Sequence, residues 1–351
     1  MLSVLAYSQL DVNQRQIGLP LRRCNLKLPF VRHACLTVLC VYMGLSSPLQ
    51  AQTPAPVKDA AKPLMEAKQV VPNVYYVQGV SELGSSANQN FISNAAFVVT
   101  PAGVVVIDAL GSPELARRLL AEIAKVTKKP IHTVVLTHYH ADHIYGLQVF
   151  KDLGARIVAH GAAREYLTSD TARLRLEASR QELWPWVDEK TRLVSADDWL
   201  VDAKILTIGG VHFDIRPVGP SHTAEDLVVY LPQQKVLFAG DLVFRNRIPF
   251  VGQADSRHWI EAMQSLLKFD TLWVVPGHGP ISNDAKGDMT LTRDYLLYLR
   301  EAMGRAARDM EPFESAYAST DWSKFEKMPL FKSANRMNAY NTYLLMEQEA
   351  K

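Results

Sequence analysis

From about residue 70 onward, short apolar runs of strand length alternate with stretches that have a helical period. The runs NAAFVVTP, GVVVIDAL and IHTVVL are rich in β-branched residues and are bounded by turn residues, so they predict strands. Residues 113–127 and 256–269 place apolar side chains three and four positions apart, which predicts helices. The order strand, helix, strand indicates a layered α/β fold.

The later part of the chain repeats this alternation and then becomes helical. Further strands are predicted in the runs KILTIGG, VHFDIRPVGP, DLVVYLP, KVLFAGD and TLWVVPGHG. Residues 161–199 are predicted to be mostly helical, and so is nearly all of the chain after Pro280. No repeat of fixed period interrupts this pattern.

The first 51 residues have a different pattern. A basic stretch, 22–33, precedes the apolar run ACLTVLCVYMGL at 34–45, which is shorter than the roughly 20 residues of a membrane span. This pattern is typical of an export signal that is cleaved after Ala51, and it predicts a periplasmic or secreted protein without a stable membrane span after signal removal. We favour the general secretory route over the twin-arginine route, which RRCNLK resembles only loosely. A membrane-anchored N-terminus is the alternative.

The domain boundaries follow from these changes in composition. Residues 1–51 are predicted to be the signal peptide, and residues 52–72, rich in Pro, Ala and Lys, a linker. A single α/β domain is predicted over 73–285, followed by a helical extension over 286–351. Three roles are open for this extension: a face for oligomerisation, a cap over the substrate, or simple packing.

Charge and cysteine content narrow the function. The first 51 residues hold five basic residues and one acidic residue, which leaves 33 basic and 35 acidic residues of the 38 and 36 in the whole chain. The slightly acidic mature chain gives no reason to expect a nucleic-acid partner, so we expect a small-molecule substrate. All three cysteines, Cys24, Cys35 and Cys40, lie in the leader. The mature chain therefore has no disulfide and no thiolate ligand for a metal.

Histidine and aspartate side chains gather at the ends of the predicted strands. THYHADH, at 137–143, places four of them within six positions, and three more follow later strands. Imidazole and carboxylate groups are ligands for zinc and similar ions. Seven such groups are too many for one tetrahedral ion and suit two ions with one bridging carboxylate. The candidate ligands are His138, His140, Asp142, His143, His222, Asp241 and His278.

THYHADH, together with SHTAED, FAGD and PGHG, resembles the metallo-β-lactamase superfamily over residues 73–285. The resemblance implies an αββα sandwich, in which two sheets pack face to face with helices outside. It also implies two zinc ions per chain, with iron or manganese as alternatives. By this resemblance His138, His140 and His222 hold the first metal. By the same resemblance Asp142, His143 and His278 hold the second metal, and Asp241 bridges the two.

The resemblance implies a metal-dependent hydrolase in which a hydroxide shared by two metals attacks an ester, thioester, lactone or lactam bond. Asp142 would be the catalytic residue that orients this hydroxide and passes on its proton. Asp241 stands where some β-lactamases have a cysteine ligand, and the pattern is closer to glyoxalase II and lactonases. A β-lactamase acting on antibiotics and an iron-dependent, persulfide dioxygenase-like oxidoreductase are the alternatives. DLVFRNRIPFVGQADSRHW and the C-terminal helices resemble exported hydrolases that are associated with sulfur oxidation or quinoprotein systems.

Three side chains are candidates for binding the substrate. Arg245 and Arg247 follow Asp241 closely and could bind an anionic substrate through forked hydrogen bonds, although solvated loop arginines would have the same spacing. Trp184 could line a pocket wall, but packing against the core would explain it equally well. Asp108, which ends the run GVVVID, is expected to brace the ligand loops by hydrogen bonding.

Overall fold

The computed structural model describes residues 63–349, so the predicted signal peptide and most of the predicted linker lie outside the described residues. The strands are β1 (Lys68–Val71), β2 (Val74–Val77), β3 (Ala95–Thr100), β4 (Gly103–Ile107), β5 (Ile131–Val135), β6 (Arg156–His160), β7 (Asp198–Leu200), β8 (Lys204–Ile208), β9 (Val211–Pro217), β10 (Leu227–Leu231), β11 (Val236–Phe244) and β12 (Trp273–His278). The helices are α1 (Pro113–Val126), α2 (Ala141–Ile144), α3 (Leu147–Asp152), α4 (Ala163–Thr168), α5 (Asp170–Glu182), α6 (Ser256–Leu266), α7 (Ala285–Arg308), α8 (Phe313–Ser319) and α9 (Arg336–Glu349), with a π-helical turn (Phe331–Asn335) before α9.

These strands form two sheets. The larger sheet runs in the order β1-β2-β3-β4-β5-β6-β7, antiparallel as far as β4 and parallel from β4 to β7. The smaller sheet runs β12-β11-β10-β9-β8 and is antiparallel except for the β11–β12 pair. Parallel neighbours place their carboxyl ends at one edge of a sheet, and the predicted ligands lie after β5, in the second half of β11 and at the end of β12.

Alternating side chains on the strands build the core on both sides of each sheet. In β4, Val105 and Ile107 pack between the two sheets, whereas Val104 and Val106 pack against the helices that include α1 and α3. The other face of the smaller sheet packs against α6, α7 and α9. Burying each such valine or isoleucine stabilises the fold by about 1.5–3 kcal/mol. The four layers confirm the predicted αββα sandwich.

Local sequence sets where the helices begin. Helix α1 begins directly after Ser112, whose hydroxyl accepts a hydrogen bond from the Leu115 amide, and Pro113 occupies the first turn, where no amide donor is needed. Glu114 lies in the same turn, where a negative charge interacts favourably with the helix dipole. The observed helix therefore agrees with the predicted range to within one residue.

Two features differ from the predicted organisation. The sheet begins before residue 73, because β1 lies inside the predicted linker and Met65 is buried in the core. Residues 161–199 are helical only as far as Glu182, because Pro185 cannot continue the helix, and the segment ends in the short strand β7.

Helices α7 and α9 pack against the same sheet as α6, so the predicted extension shares the core of the α/β domain. In the part of the chain that the structure describes, no helix has the length and apolar character to span a membrane.

Candidate metal centre

The segment that links β5 to α2 carries the four ligand-type residues of THYHADH. Strand β5 lies between β4 and β6 inside the larger sheet, so its carboxyl end is held on both sides. The Leu227 amide at the start of β10 donates to the Thr137 carbonyl over 2.8 Å, which joins this segment to the smaller sheet. The two sheets thus meet where the candidate ligands lie.

One group of potential ligands consists of three histidines and an aspartate from three separate segments. His222 Nε2 lies 3.0 Å from His140 Nδ1 and 3.4 Å from Asp241 Oδ2. His138 Nε2 lies 3.9 Å from the same Asp241 oxygen. One ligand atom from each of these four residues lies within 4.8 Å of the others, which is the spacing expected around a single cation.

A second group consists of Asp142, His143 and His278. The Asp142 Oδ2 atom lies 3.3 Å from His278 Nε2 and 3.5 Å from His143 Nε2. Asp241 connects this group to the first, because its Oδ1 atom lies 3.2 Å from His143 Nε2 and its Oδ2 atom 3.2 Å from His278 Nε2. The structure therefore brings all seven predicted ligands together, with Asp241 between the two groups.

Buried atoms without hydrogen-bond partners show that the cluster fits metal ions. His138 Nε2, His143 Nε2 and Asp241 Oδ1 are all buried, and none has a partner. Buried polar atoms are nearly always satisfied by a partner, so these three atoms, which face one another, fit a shared cation. Nitrogen and oxygen donors in this combination suit zinc.

The two groups differ in how they hold protons. Burial lowers the pKa of His138, His140 and His222, and the pKa of His222 falls to about 3. Burial also opposes charge on His143 and His278, but the neighbouring carboxylates of Asp142 and Asp241 outweigh it and raise the pKa of both. Without metal, the first group therefore offers neutral imidazoles, whereas the second group holds protons that a metal must displace.

Asp108 fixes the orientation of residues in both groups. Its carboxylate accepts hydrogen bonds from the Thr137 amide and hydroxyl, each over 2.8 Å, and its Oδ2 atom lies 2.9 Å from His143 Nδ1. The Thr137 hydroxyl in turn lies 3.1 Å from His138 Nδ1. These contacts leave Nε2 of both histidines free for a metal. The left-handed backbone of Asp108 (φ 61°) costs about 1 kcal/mol, which the hydrogen bonds offset.

Two glycines allow β11 to bring Asp241 into the centre. Asp241 lies inside β11 and not at its end as the sequence suggested, at an irregularity where Gly240 has φ 51°. A Cβ atom at Gly240 would lie 2.7 Å from the Thr137 side chain, and one at Gly277 would lie 2.0 Å from Asp241 Oδ1. Only glycine therefore permits this close approach of β11 to β12 and to the THYHADH segment.

The three substrate-binding candidates lie in different environments. Arg245 pairs with Asp288 of α7, with 2.9 Å between Nε and Oδ2, so its charge is already compensated. Arg247 is only 5% exposed and its Nη1 atom lies 3.4 Å from His278 Nδ1. Trp184 is 58% exposed and, within the described residues, has no hydrogen bond from its side chain. Of the three, the structure places only Arg247 against the candidate ligands.

Sequence reasoning missed two groups that shape the centre. The Ile92 carbonyl lies 2.7 Å from His278 Nδ1 and sets the tautomer of that imidazole, but a backbone group leaves no mark in the sequence. Ser93 donates from its hydroxyl to the Asp142 carbonyl, and the only signal for it was the polar run before β3. Both residues lie on the loop between β2 and β3, which therefore forms one wall of the centre.

This fold and ligand arrangement define a class of metallohydrolase-like proteins, and the comparisons with known proteins agree. Residues 89–278 match the family model of the Metallo-beta-lactamase superfamily, which is more than half of the chain. The protein belongs to this superfamily.

Relatives in the superfamily carry the names of hydrolases. A linear primary-alkylsulfatase from Pseudomonas sp. is 26% identical over 242 residues, which cover 58% of this chain and 45% of the relative. A type 2 metallo-beta-lactamase from Bacillus cereus is 29% identical over 221 residues, which cover 62% of this chain and 77% of the relative. The chain thus spans less than half the length of the alkylsulfatase.

Solved structures share the fold. The stereoselective inverting sec-alkylsulfatase Pisa1 from Pseudomonas sp. superposes with a TM-score of 0.64 at 20% identity, covering 80% of this chain and 50% of that one. A metallo-beta-lactamase from Pontibacter korlensis superposes with a TM-score of 0.53 at 27% identity, covering 67% and 99%. Both matches support the predicted fold.

Proposed function

We propose that this protein is a dinuclear zinc hydrolase that cleaves an ester, thioester, lactone or lactam bond in a small anionic substrate. The observation that carries the proposal is the position of Asp241. Its Oδ1 atom lies 3.2 Å from His143 Nε2, and its Oδ2 atom lies 3.2 Å from His278 Nε2 and 3.4 Å from His222 Nε2. A carboxylate shared in this way suits a pair of cations better than a single one.

Bound zinc ions would supply a hydroxide nucleophile at neutral pH and would polarise the bond that is cleaved. His138, His140 and His222 would hold one ion, Asp142, His143 and His278 the other, and Asp241 both. Histidine and carboxylate ligands alone leave the ions hard enough to bind oxygen atoms of a substrate.

Asp142 is the residue proposed to orient the nucleophile and to receive its proton. Burial opposes charge on this carboxylate, but His143 and His278 outweigh it and hold its pKa below the ordinary value. Asp142 is therefore an ionised hydrogen-bond acceptor at neutral pH. Its backbone is fixed by the Ser93 hydroxyl, so the carboxylate has a defined direction.

The environment of Arg247 is the reason for proposing an anionic substrate. Burial lowers the pKa of its guanidinium, while Asp241 and Asp142 raise it, and no carboxylate among the described residues pairs with it. Its Nε atom is buried without a partner. Since metal ions would neutralise Asp142 and Asp241, an anionic group of the substrate is the natural partner for this cation.

A sulfate ester is the second candidate for the bond that is cleaved. Arg247 favours it, because a sulfate ester keeps a negative charge beside the scissile bond, and so does the similarity to a linear primary-alkylsulfatase. A carboxylate elsewhere in an ester or lactam substrate would meet the same electrostatic requirement, so substrate turnover must distinguish these bond classes.

To test the proposal, metal-free protein is loaded with zinc and, in parallel, with iron. Turnover is then measured with para-nitrophenyl acetate, para-nitrophenyl sulfate, a thioester, a lactone and nitrocefin. We expect zinc-dependent turnover of at least one class and its loss in Asp142→Ala. Nitrocefin as the preferred substrate would narrow the proposal to the lactam class, that is, to a β-lactamase. Oxygen uptake by a one-iron form with a persulfide, or no turnover of any class with two zinc ions bound, would contradict the proposal.

We also propose export to the periplasm or the exterior, on the strength of the basic and apolar leader. N-terminal sequencing of the protein recovered from a periplasmic fraction should begin at Gln52. Recovery of the uncleaved chain from the cytosol would reject this localisation.

A further inference from the structure

The loop that carries Arg247 is attached to β12 at its start, where the Arg245 amide donates to the His278 carbonyl over 3.1 Å, and beyond Arg247 it is held by the C-terminal part of the chain. Residues 245–255 contain no helix or strand, so the backbone geometry of the loop depends on contacts from outside. The Ile248 amide donates to the Pro329 carbonyl over 3.0 Å. Ile248 and Val251 are buried in the apolar cluster that α7 and α9 form.

Asn338 on α9 makes the most complete contact with this loop. Its Oδ1 atom accepts from the Val251 amide over 3.0 Å, and its Nδ2 atom donates to the Pro249 carbonyl over 2.7 Å. The Nδ2 atom also donates to the Tyr295 hydroxyl over 3.0 Å. One side-chain amide thus fixes both a donor and an acceptor of the loop backbone, and α7 fixes the amide in turn.

Because Asn338 is buried, water cannot replace its hydrogen bonds to the loop. Asn338 is 0% exposed, so neither its own polar atoms nor the loop groups that it contacts can turn to water instead. An asparagine that packs on a helix face with no exposure would be costly if it served no partner. A second amide, Asn341, extends the contact by donating from Nδ2 to the Gly252 carbonyl over 2.8 Å.

We propose that Asn338 is a positioning residue, through which the C-terminal helices hold Arg247 against His278 so that it can bind the anionic group of the substrate. This inference rests on the proposed anionic substrate. The guanidinium lies 5.6 Å from the centre of the Phe244 ring, and that ring stacks on His278 at 5.3 Å. A shift of the loop would move the guanidinium along this stack, while the ligands, which lie on other segments, would stay in place.

The test measures binding of inorganic sulfate to the zinc-loaded protein by calorimetry, which does not depend on turnover. We expect Asn338→Ala to weaken sulfate binding about tenfold, since it breaks buried hydrogen bonds, and to retain two zinc ions. Asn341→Ala, at a partly exposed site, should fold normally and weaken binding by a smaller factor in the same direction. The control is Tyr343→Phe, which removes a hydrogen bond from α9 to the Glu311 carbonyl but does not touch the loop.

A double-mutant cycle separates positioning from general destabilisation. With Arg247→Ala already present, Asn338→Ala should weaken sulfate binding by less than about twofold further, because the two residues act as one unit. Additive effects, an equal effect of Tyr343→Phe, or no sulfate binding by the wild-type protein would overturn the inference. Sulfate binding that shows the expected cycle in an enzyme that hydrolyses none of the ester classes would instead count against the proposed function alone.

Discussion

The two ligand groups use the same residue types but differ in the number of carboxylates. The first group has three imidazoles with lowered pKa values and the shared Asp241. The second group adds Asp142, and Asp108 lies behind it, so the pKa values of His143 and His278 are raised. The seven ligands therefore do not form two equivalent sites, because the imidazoles of the first group are unprotonated, whereas His143 and His278 must lose protons before a metal binds.

Removing Asp142 should have the largest effect on turnover and should weaken metal binding in the second group only. In Asp142→Ala we expect kcat to fall by roughly 10²–10⁴, because the second group loses a ligand and the nucleophile loses its orienting acceptor. Metal analysis should show that the first group keeps its zinc. Asp270→Ala is the control, since the side chain of this carboxylate is 74% exposed and pairs only with Lys235 among the described residues. A rate near that of the wild type would reject the role of Asp142.

Removing the Asp108 carboxylate should lower the zinc affinity of the two groups to different extents. Asp108→Asn loses the anionic partner of His143 directly but reaches His138 only through Thr137, so zinc affinity should fall about 10–100-fold, mainly in the second group. Thr137→Val should weaken the first group in turn. Competition with a chromophoric chelator measures both constants. Equal losses of zinc affinity at both sites in both variants would show that Asp108 and Thr137 do not act on separate groups.

Lower pH should empty the second group first. Because the pKa values of His143 and His278 are raised above the ordinary value, protons compete with a metal there at every pH below those raised values, whereas His222, with a pKa of about 3, stays neutral. Each proton that zinc displaces costs about tenfold in affinity per pH unit in that range. Zinc titrations at about pH 7.5 and about pH 5.5 should therefore show the weaker site losing more affinity. Parallel losses at both sites would contradict the assignment.

The smallest expected effect is on KM, and it should distinguish Arg247 from Arg245. Arg247→Ala is expected to raise KM for an anionic substrate about tenfold with little change in KM for a neutral ester, since a charge-assisted hydrogen bond is lost. Arg245→Ala should leave KM within about twofold, because Arg245 pairs with Asp288. Steady-state kinetics with a matched pair of anionic and neutral esters measures both KM values in each variant. The reverse ranking would assign substrate binding to Arg245.

Sequence pattern predicted the parts of the molecule that depend on local order. THYHADH is a short segment after a buried strand, so its four ligand-type residues had to lie close together. The layers followed from strands buried on both faces and from amphipathic helices, as the matching bounds of α1 illustrate.

The rest depends on contacts between distant segments. The position of Asp241 inside β11 follows from the irregularity at Gly240, which the run VLFAGD did not reveal. Arg245 and Arg247 are two positions apart in an irregular loop, so periodicity could not say which one faces the centre. Asn338, 87 positions from the Val251 amide that it contacts, gave no signal in the sequence at all.

Anomalous diffraction from crystals of the zinc-loaded protein would show whether two ions share Asp241. We predict two zinc peaks per chain, one bound by His138, His140 and His222 and the other by Asp142, His143 and His278, with Asp241 in contact with both. A single peak, or two peaks with Asp241 bound to neither, would contradict this prediction.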